Sequence, residues 1–292
     1  MSIMDITEII RQSRPNIKAQ SIRTYVSNIK KIAGEKEISN IDFLNNPKEV
    51  FSKLEGMKLT MKRNILSSIL VLLSAVDSEN RLYKKYADKL LELTMLYKRQ
   101  MDKNEKTETQ ELNWIEHSQL INIAKKMLKK NPGSQDSLIA ALYSYQPPTR
   151  LDFYDMQIVG PKDEIDNTKN YLVIQSQRTK RFIFNDYKSA NKYNTIEIKV
   201  NKQLNTVINK FLKMNPDRKY LLQNKAGLPL TRNNLGKKLP VIFKDTGKHV
   251  TLNIIRHVYI SENINIEQTK KNKELAKTMM HGSNLQLEYA KN

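Results

Sequence analysis

Strand-forming sequence is confined to one short window of this 292-residue chain. Residues 171–175 (YLVIQ), 181–185 (RFIFN) and 195–200 (TIEIKV) alternate apolar with polar side chains or are rich in β-branched ones, as a half-buried strand requires. Between the last two lies DYKSANKYN, a turn-rich stretch that predicts a hairpin. Almost everything else with a hydrophobic period repeats at helical spacing. A sheet this small cannot supply the core of so long a chain, so the fold predicted is mainly α with a small antiparallel β-sheet.

The helical stretches fall into two groups. In the first, Ile6, Ile9 and Ile10 begin an apolar face that Pro15 breaks, and residues 21–32 place Ile22, Tyr25, Val26 and Ile29 on one side. A short segment at 41–44 precedes Pro47, and Val50, Phe51 and Leu54 start another helix. Residues 60–76 (TMKRNILSSILVLLSAV) form the most apolar helix, with Thr60 as its expected N-cap, and 83–97 adds one more. Residues 98–110 turn polar with no apolar period, which reads as a linker. The division expected is a helical domain over 1–100, a linker over 101–110 and a second domain over 111–292. In the second group a helix runs from about Trp114 to Met127, and another over 137–145 is stopped by Pro147-Pro148. Beyond the strands, residues 204–214 are helical, Thr231 caps a helix reaching Phe243, and TLNIIRHVYIS opens a further one at Thr251.

Fifty Lys and Arg stand against thirty Asp and Glu, a formal net charge of +20. Such a balance favours a polyanionic partner, double-stranded DNA first and an anionic membrane surface second. No run of about eighteen apolar residues stands out and the N-terminus has no basic lead, so neither a membrane span nor a signal peptide is expected. Cysteine is absent, which removes disulfides, thiolate zinc sites and cysteine nucleophiles and fits an intracellular, reducing compartment. There is no close carboxylate cluster for a two-metal site and no Gly-rich phosphate loop, so no cofactor is expected.

Residues suited to phosphodiester chemistry are spread along the second group: Arg150 after the proline pair, Lys188 in the hairpin, then Arg256, His281 and Tyr289. A guanidinium holds two phosphate oxygens at once, an imidazole hydrogen-bonds a third, and a phenol can attack phosphorus. The wording QPPTRLDFYDM, FNDYKSANKY, IIRHVYIS and MMHGSNLQLEY resembles the tyrosine recombinase (phage-type integrase) family, in particular integrase-like recombinases of large DNA viruses and mobile elements. The resemblance implies a helical core-binding domain followed by an α+β catalytic domain. It implies cleavage and rejoining of DNA through a 3′-phosphotyrosyl link at Tyr289, with Arg150 and Arg256 clamping the phosphate. Lys188 would be the general acid, with Lys192 the alternative, and His281 would hydrogen-bond the phosphate or take the tyrosine proton. It further implies self-association on DNA as a tetrameric synapse. Related readings are a type IB topoisomerase and a DNA-binding protein of the same fold without activity.

Two departures from the family pattern stand out. Asn253 occupies the position where the family commonly has histidine or lysine, three residues before the second arginine, and its amide carries no transferable proton. Only Ala290, Lys291 and Asn292 follow Tyr289, so the subunit exchange that longer relatives make with a C-terminal helix is not expected from that segment. Asp152 and Asp155 are candidates to orient Arg150. For DNA grip the candidates are Arg23, Lys30, Lys62 and Arg63 in the first domain, and Arg178, Lys180, Arg181, Arg232, Lys237 and Lys238 in the second, the two closing as a clamp on a duplex.

Overall fold

The computed structural model of the chain describes residues 5–76, 81–283 and 286. The chain separates into two compact units, Met1–Glu105 and Lys106–Asn292. In the first, α1 (Ile6–Ser13) is capped by the Asp5 carboxylate, which accepts from the backbone N–H groups of Thr7 and Glu8. Next, α2 (Ala19–Ala33) stops at Gly34, whose φ of +80° is open to glycine at little cost. A 3₁₀ turn at Asp42–Asn45 leads into α3 (Pro47–Leu54), capped by Asn46 with Pro47 in its first turn. The unit closes with α4 (Leu59–Val76) and α5 (Arg81–Asp102).

The bundle is assembled around α4, on which α1, α2 and α5 all pack. Ile65, Leu66, Ile69, Leu72 and Leu73 of α4 are buried against Ile10, Ile29, Leu44 and Tyr86. By length and composition α4 matches a bilayer-crossing helix, and it is the one such helix among the described residues. It places that apolar surface in the bundle core. Thr60 lies inside the helix rather than at its cap, because the N–H groups of Met61 and Lys62 already bond to the Lys58 carbonyl. The polar stretch after residue 97 is not a structureless linker either: α5 continues to Asp102 and another helix starts at Glu108. Lysine, arginine, glutamine and methionine sustain a helix by local propensity without burying a face.

The second unit opens with α6 (Glu108–Asn113), entered through a capping box between Thr107 and Gln110. Trp114 does not begin a helix: it is the extended C-cap that follows α6, and the next helix is α7 (His117–Lys130). The unit continues through α8 (Gln135–Ser144), β1 (Gln157–Val159), β2 (Tyr171–Ile174), β3 (Lys180–Phe184), α9 (Ala190–Tyr193) and β4 (Ile196–Lys199). It ends with α10 (Lys202–Met214), α11 (Arg232–Ile242), α12 (Leu252–Asn263) and α13 (Ile266–Thr278).

The strands lie in the order β1-β2-β3-β4. β2, β3 and β4 pair antiparallel, with Tyr171 opposite Ile183 and Arg181 opposite Lys199. β1 runs parallel to β2, so the sheet is mixed rather than wholly antiparallel. A three-residue strand is too short to show a period in sequence, which is why β1 was not expected. Alternation sends Leu172, Phe182 and Phe184 into the main core, while Tyr171, Val173 and Ile183 pack with Val159 on the opposite face.

Tyr86 is a sensitive point of the first unit. Its buried hydroxyl donates to the Leu44 carbonyl at 2.9 Å, and its ring meets Phe51 edge-to-face at 5.5 Å. Tyr86→Phe keeps the ring and strands the carbonyl. It is expected to cost about 1–2 kcal/mol in urea unfolding, with accelerated amide exchange in residues 5–105 and none beyond. An unchanged midpoint would mean that water replaces the hydroxyl.

Candidate active site

The segment after α8 carries the first two charged groups of the site. Pro147 and Pro148 prevent the helix from continuing, and the chain turns through Arg150 and Asp152 into β1. Phe153 anchors it. That ring is fully buried and stacks edge-to-face on Tyr143 at 5.8 Å, Phe182 at 5.1 Å and Phe184 at 5.6 Å. The backbone beside it is fixed as well, since the Tyr143 hydroxyl donates to the Arg150 carbonyl at 3.1 Å.

Helix α12 carries the next groups. Thr251 caps it, and Ile254, Ile255 and Val258 face the core. The opposite stripe, at i, i+1, i+4, i+5 and i+8, is Leu252, Asn253, Arg256, His257 and Ile260. These five line an open pocket of about 380 Å³ together with Arg150, Leu151 and Arg232. Arg232 is the first residue of α11, directly after its N-cap Thr231. Three arginines separated by many residues in sequence therefore share one cavity.

Their electrostatics is unbalanced. Burial lowers the pKa of Arg256 from its ordinary value, and the positive charge of Arg150 lowers it further. Neither Arg150 nor Arg256 has an ion-pair partner among the described residues. Asp152, with 5% of its side chain exposed, instead holds Arg232 through an Oδ1–Nη2 contact of 2.7 Å. Burial raises the Asp152 pKa, opposed by Arg232 and then Arg150. Asp152 thus serves Arg232 directly and Arg150 only through space. Asp155 pairs with neither: burial raises its pKa, and its Oδ1 has no hydrogen-bond partner among the described residues. The neighbouring Tyr154 phenol is pushed up to about 12, by burial first and Asp155 second.

The other candidates are placed as follows. Lys188 is exposed in the connection between β3 and β4, where the expected hairpin contains the short α9. Asp186, two residues earlier, acts electrostatically on Asp152, so the start of this connection borders the arginine cluster. Lys192 lies over the Tyr193 ring at 5.1 Å. His281 follows α13 in a turn, its N–H donating to the Ala276 carbonyl, and is not among the pocket-lining residues. Tyr289 lies outside the described residues.

Several basic residues expected to grip DNA have structural partners. Lys180 is buried at 1% exposure, its ammonium donating to the carbonyls of Ser176 and Gln177 and to the side chains of Asn205 and Asn209. Burial lowers its pKa, and this arrangement closes the β2–β3 turn onto α10 instead of offering a charge to solvent. Arg181 pairs with Glu197 and Lys238 with Asp136. Arg63 donates to Thr94 and lies over the Tyr97 ring at 4.3 Å, tying α4 to α5. Arg23, Arg178 and Lys237 are exposed, and Lys30 and Lys62 half-buried.

One residue of the site gave no signal in sequence. Asn170 is buried, and its amide is fully used: Nδ2 donates to the carbonyls of Asp152 and Asp186, and Oδ1 accepts from the N–H groups of Asn185 and Asp186. It ties the Arg150–Asp152 segment to the start of the connection bearing Lys188. In sequence it is one asparagine in a polar loop, indistinguishable from a turn residue.

Asn170→Ala should therefore cost roughly 2–4 kcal/mol in denaturant unfolding, because four backbone groups lose their partner at once. A loss below about 0.5 kcal/mol would show that water can do the same work. Asp155 yields a pH test. Its pKa is raised in the fold, so the stability it contributes is complete below the ordinary carboxylate value and is lost as pH rises through the raised one. Asp155→Asn does not titrate and should gain in thermal midpoint over wild type as pH rises from the ordinary carboxylate value through the raised one. A pH-independent offset would contradict the raised pKa.

No family model and no curated protein matches the sequence. Among solved structures the chain is similar to the crystal structure of XerA recombinase, with a TM-score of 0.36 and 10% identity over 91% of this chain and 87% of that one.

Proposed function

We propose that the chain is a site-specific DNA recombinase of the tyrosine type, which cleaves and rejoins strands through a 3′-phosphotyrosyl link at Tyr289. One observation carries the reading: Arg150 and Arg256 face the same open pocket, each within the other's field, with no carboxylate paired to either among the described residues. Like charges held together this way are relieved by an anion, and the paired donors of guanidinium groups suit phosphate oxygens.

In the proposed reaction the Tyr289 phenolate oxygen attacks phosphorus. The P–O5′ bond breaks as the new P–O bond forms, and the phosphodiester is conserved as a tyrosyl ester. Arg150 and Arg256 stabilise the charge on the nonbridging oxygens. The departing 5′-oxygen takes a proton from Lys188, and the phenol loses one towards His281. Attack of a 5′-hydroxyl reverses each step and reseals the strand. Arg23, Lys30, Lys62, Arg178 and Lys237 are the proposed backbone contacts, and assembly on paired sites follows the family resemblance. The integrase-like, viral or mobile-element character rests on the same resemblance.

A second reading is favoured by one residue. Asn253 lines the pocket beside Arg256 and has no transferable proton, which suits a DNA-binding protein of this fold without activity. A type IB topoisomerase would use the same covalent chemistry without pairing two sites.

The test is a nicked suicide duplex, drawn from sequences flanking the gene, incubated with wild type and Tyr289→Phe. Wild type is expected to give an SDS-resistant protein–DNA adduct and the variant none. Tight binding without an adduct on any such duplex would favour the inactive binding protein. Adduct formation with relaxation of supercoils, and no dependence on a second site, would favour the topoisomerase.

A further inference from the structure

We infer that Arg232 is a third phosphate-contacting group of this pocket, acting on the charge that accumulates during strand transfer more than on DNA binding. The inference rests on the reading of the pocket as a phosphodiester site and adds a residue to it.

Placement is the first argument. Arg232 lines the cavity with Arg150 and Arg256, although it comes from the start of α11, a different element from either. Its head group is held rather than loose: Nη2 is 2.7 Å from Asp152 Oδ1, and the guanidinium lies over the Tyr154 ring at 5.3 Å. Among the described residues that hydrogen bond engages Nη2 alone, and 44% of the side chain remains exposed. A guanidinium has five N–H donors, so donors remain for a ligand while the anchor stays in place.

Charge is the second argument. The three guanidinium groups that line the cavity and the carboxylate paired to one of them leave a surplus of two positive charges among these four groups. A phosphodiester carries one negative charge, whereas the five-coordinate arrangement formed by in-line attack carries two. Arg150 with Arg256 alone would match the second state, but only if Asp152 were not there. With the buried Asp152 present, the third arginine restores the match. The carboxylate is nearly inaccessible, and its own backbone carbonyl is held by Asn170, so Arg232 needs little reorganisation when the charge appears.

A purely structural Arg232, present to neutralise Asp152, is the competing account. The two are separated by single-turnover cleavage of the nicked suicide duplex with wild type, Arg232→Ala and Arg232→Gln. Glutamine is included because its amide can still donate to Asp152. The duplex is used in two forms, one normal and one with a methylphosphonate at the scissile position, which replaces a charged oxygen by methyl. Both variants are expected to bind the normal duplex within about threefold of wild type and to cleave it about 100-fold more slowly. On the methylphosphonate the deficit should shrink to a few-fold, because the five-coordinate state then carries one negative charge instead of two and Arg150 with Arg256 can answer it without Arg232.

Wild-type cleavage rates in both variants would overturn the inference. So would equal deficits on the two substrates, which mark a structural role, or a rate loss matched by lost affinity, which marks ground-state binding. If wild type itself forms no adduct, the proposed function fails and this inference with it, an outcome distinct from the other three.

Discussion

Phe153 has no solvent exposure, and its ring meets Tyr143, Phe182 and Phe184, which belong to a helix and a strand on either side of it. The segment it anchors has no regular structure between α8 and β1. Without that burial, neither Arg150 nor Asp152 has a defined place relative to α11 and α12. The site is thus positioned by an apolar interaction, and its polar contacts refine what the aromatic cluster has already located. This is the usual division of labour between packing, which is large and nondirectional, and hydrogen bonds, which are small and specific.

The pocket is electrostatically expensive for the free protein. Burial denies Arg256 full hydration, and the positive charge of Arg150 depresses its pKa further through like-charge repulsion. The scaffold tolerates this because α12 is secured elsewhere, through Ile254, Ile255 and Val258, so repulsion at one stripe does not dislodge the helix. The Asp152–Arg232 pair is partly buried and differs from the exposed Arg11–Glu8 or Lys53–Glu49 pairs, which contribute little.

Much of the fold was legible because helical periods and strand alternation record burial directly. The three longer strands and most helices sit close to where their patterns place them. β1 was not visible, since Gln157–Val159 is too short for a period and its parallel pairing depends on β2. Arg150 and Arg256 stood out through their sequence context, and the structure brings them to one pocket. The roles of the other basic residues were less readable. Lys180, Lys188 and Lys192 look alike in a basic stretch, yet Lys180 is enclosed by α10 while the other two are exposed, a difference set by tertiary contacts with Asn205 and Asn209. Arg232 read as one more DNA contact because its partner Asp152 is eighty positions away.

Asn170 gives the site an architectural economy with a drawback. A single side-chain amide fastens both the arginine-bearing segment and the first residues of the β3–β4 connection. The two loops consequently share one point of failure, and neither can be redesigned at its anchored end without disturbing the other. Loop grafting between β3 and β4 would have to retain the backbone path of Asn185 and Asp186, leaving the segment beyond them as the portion free to vary.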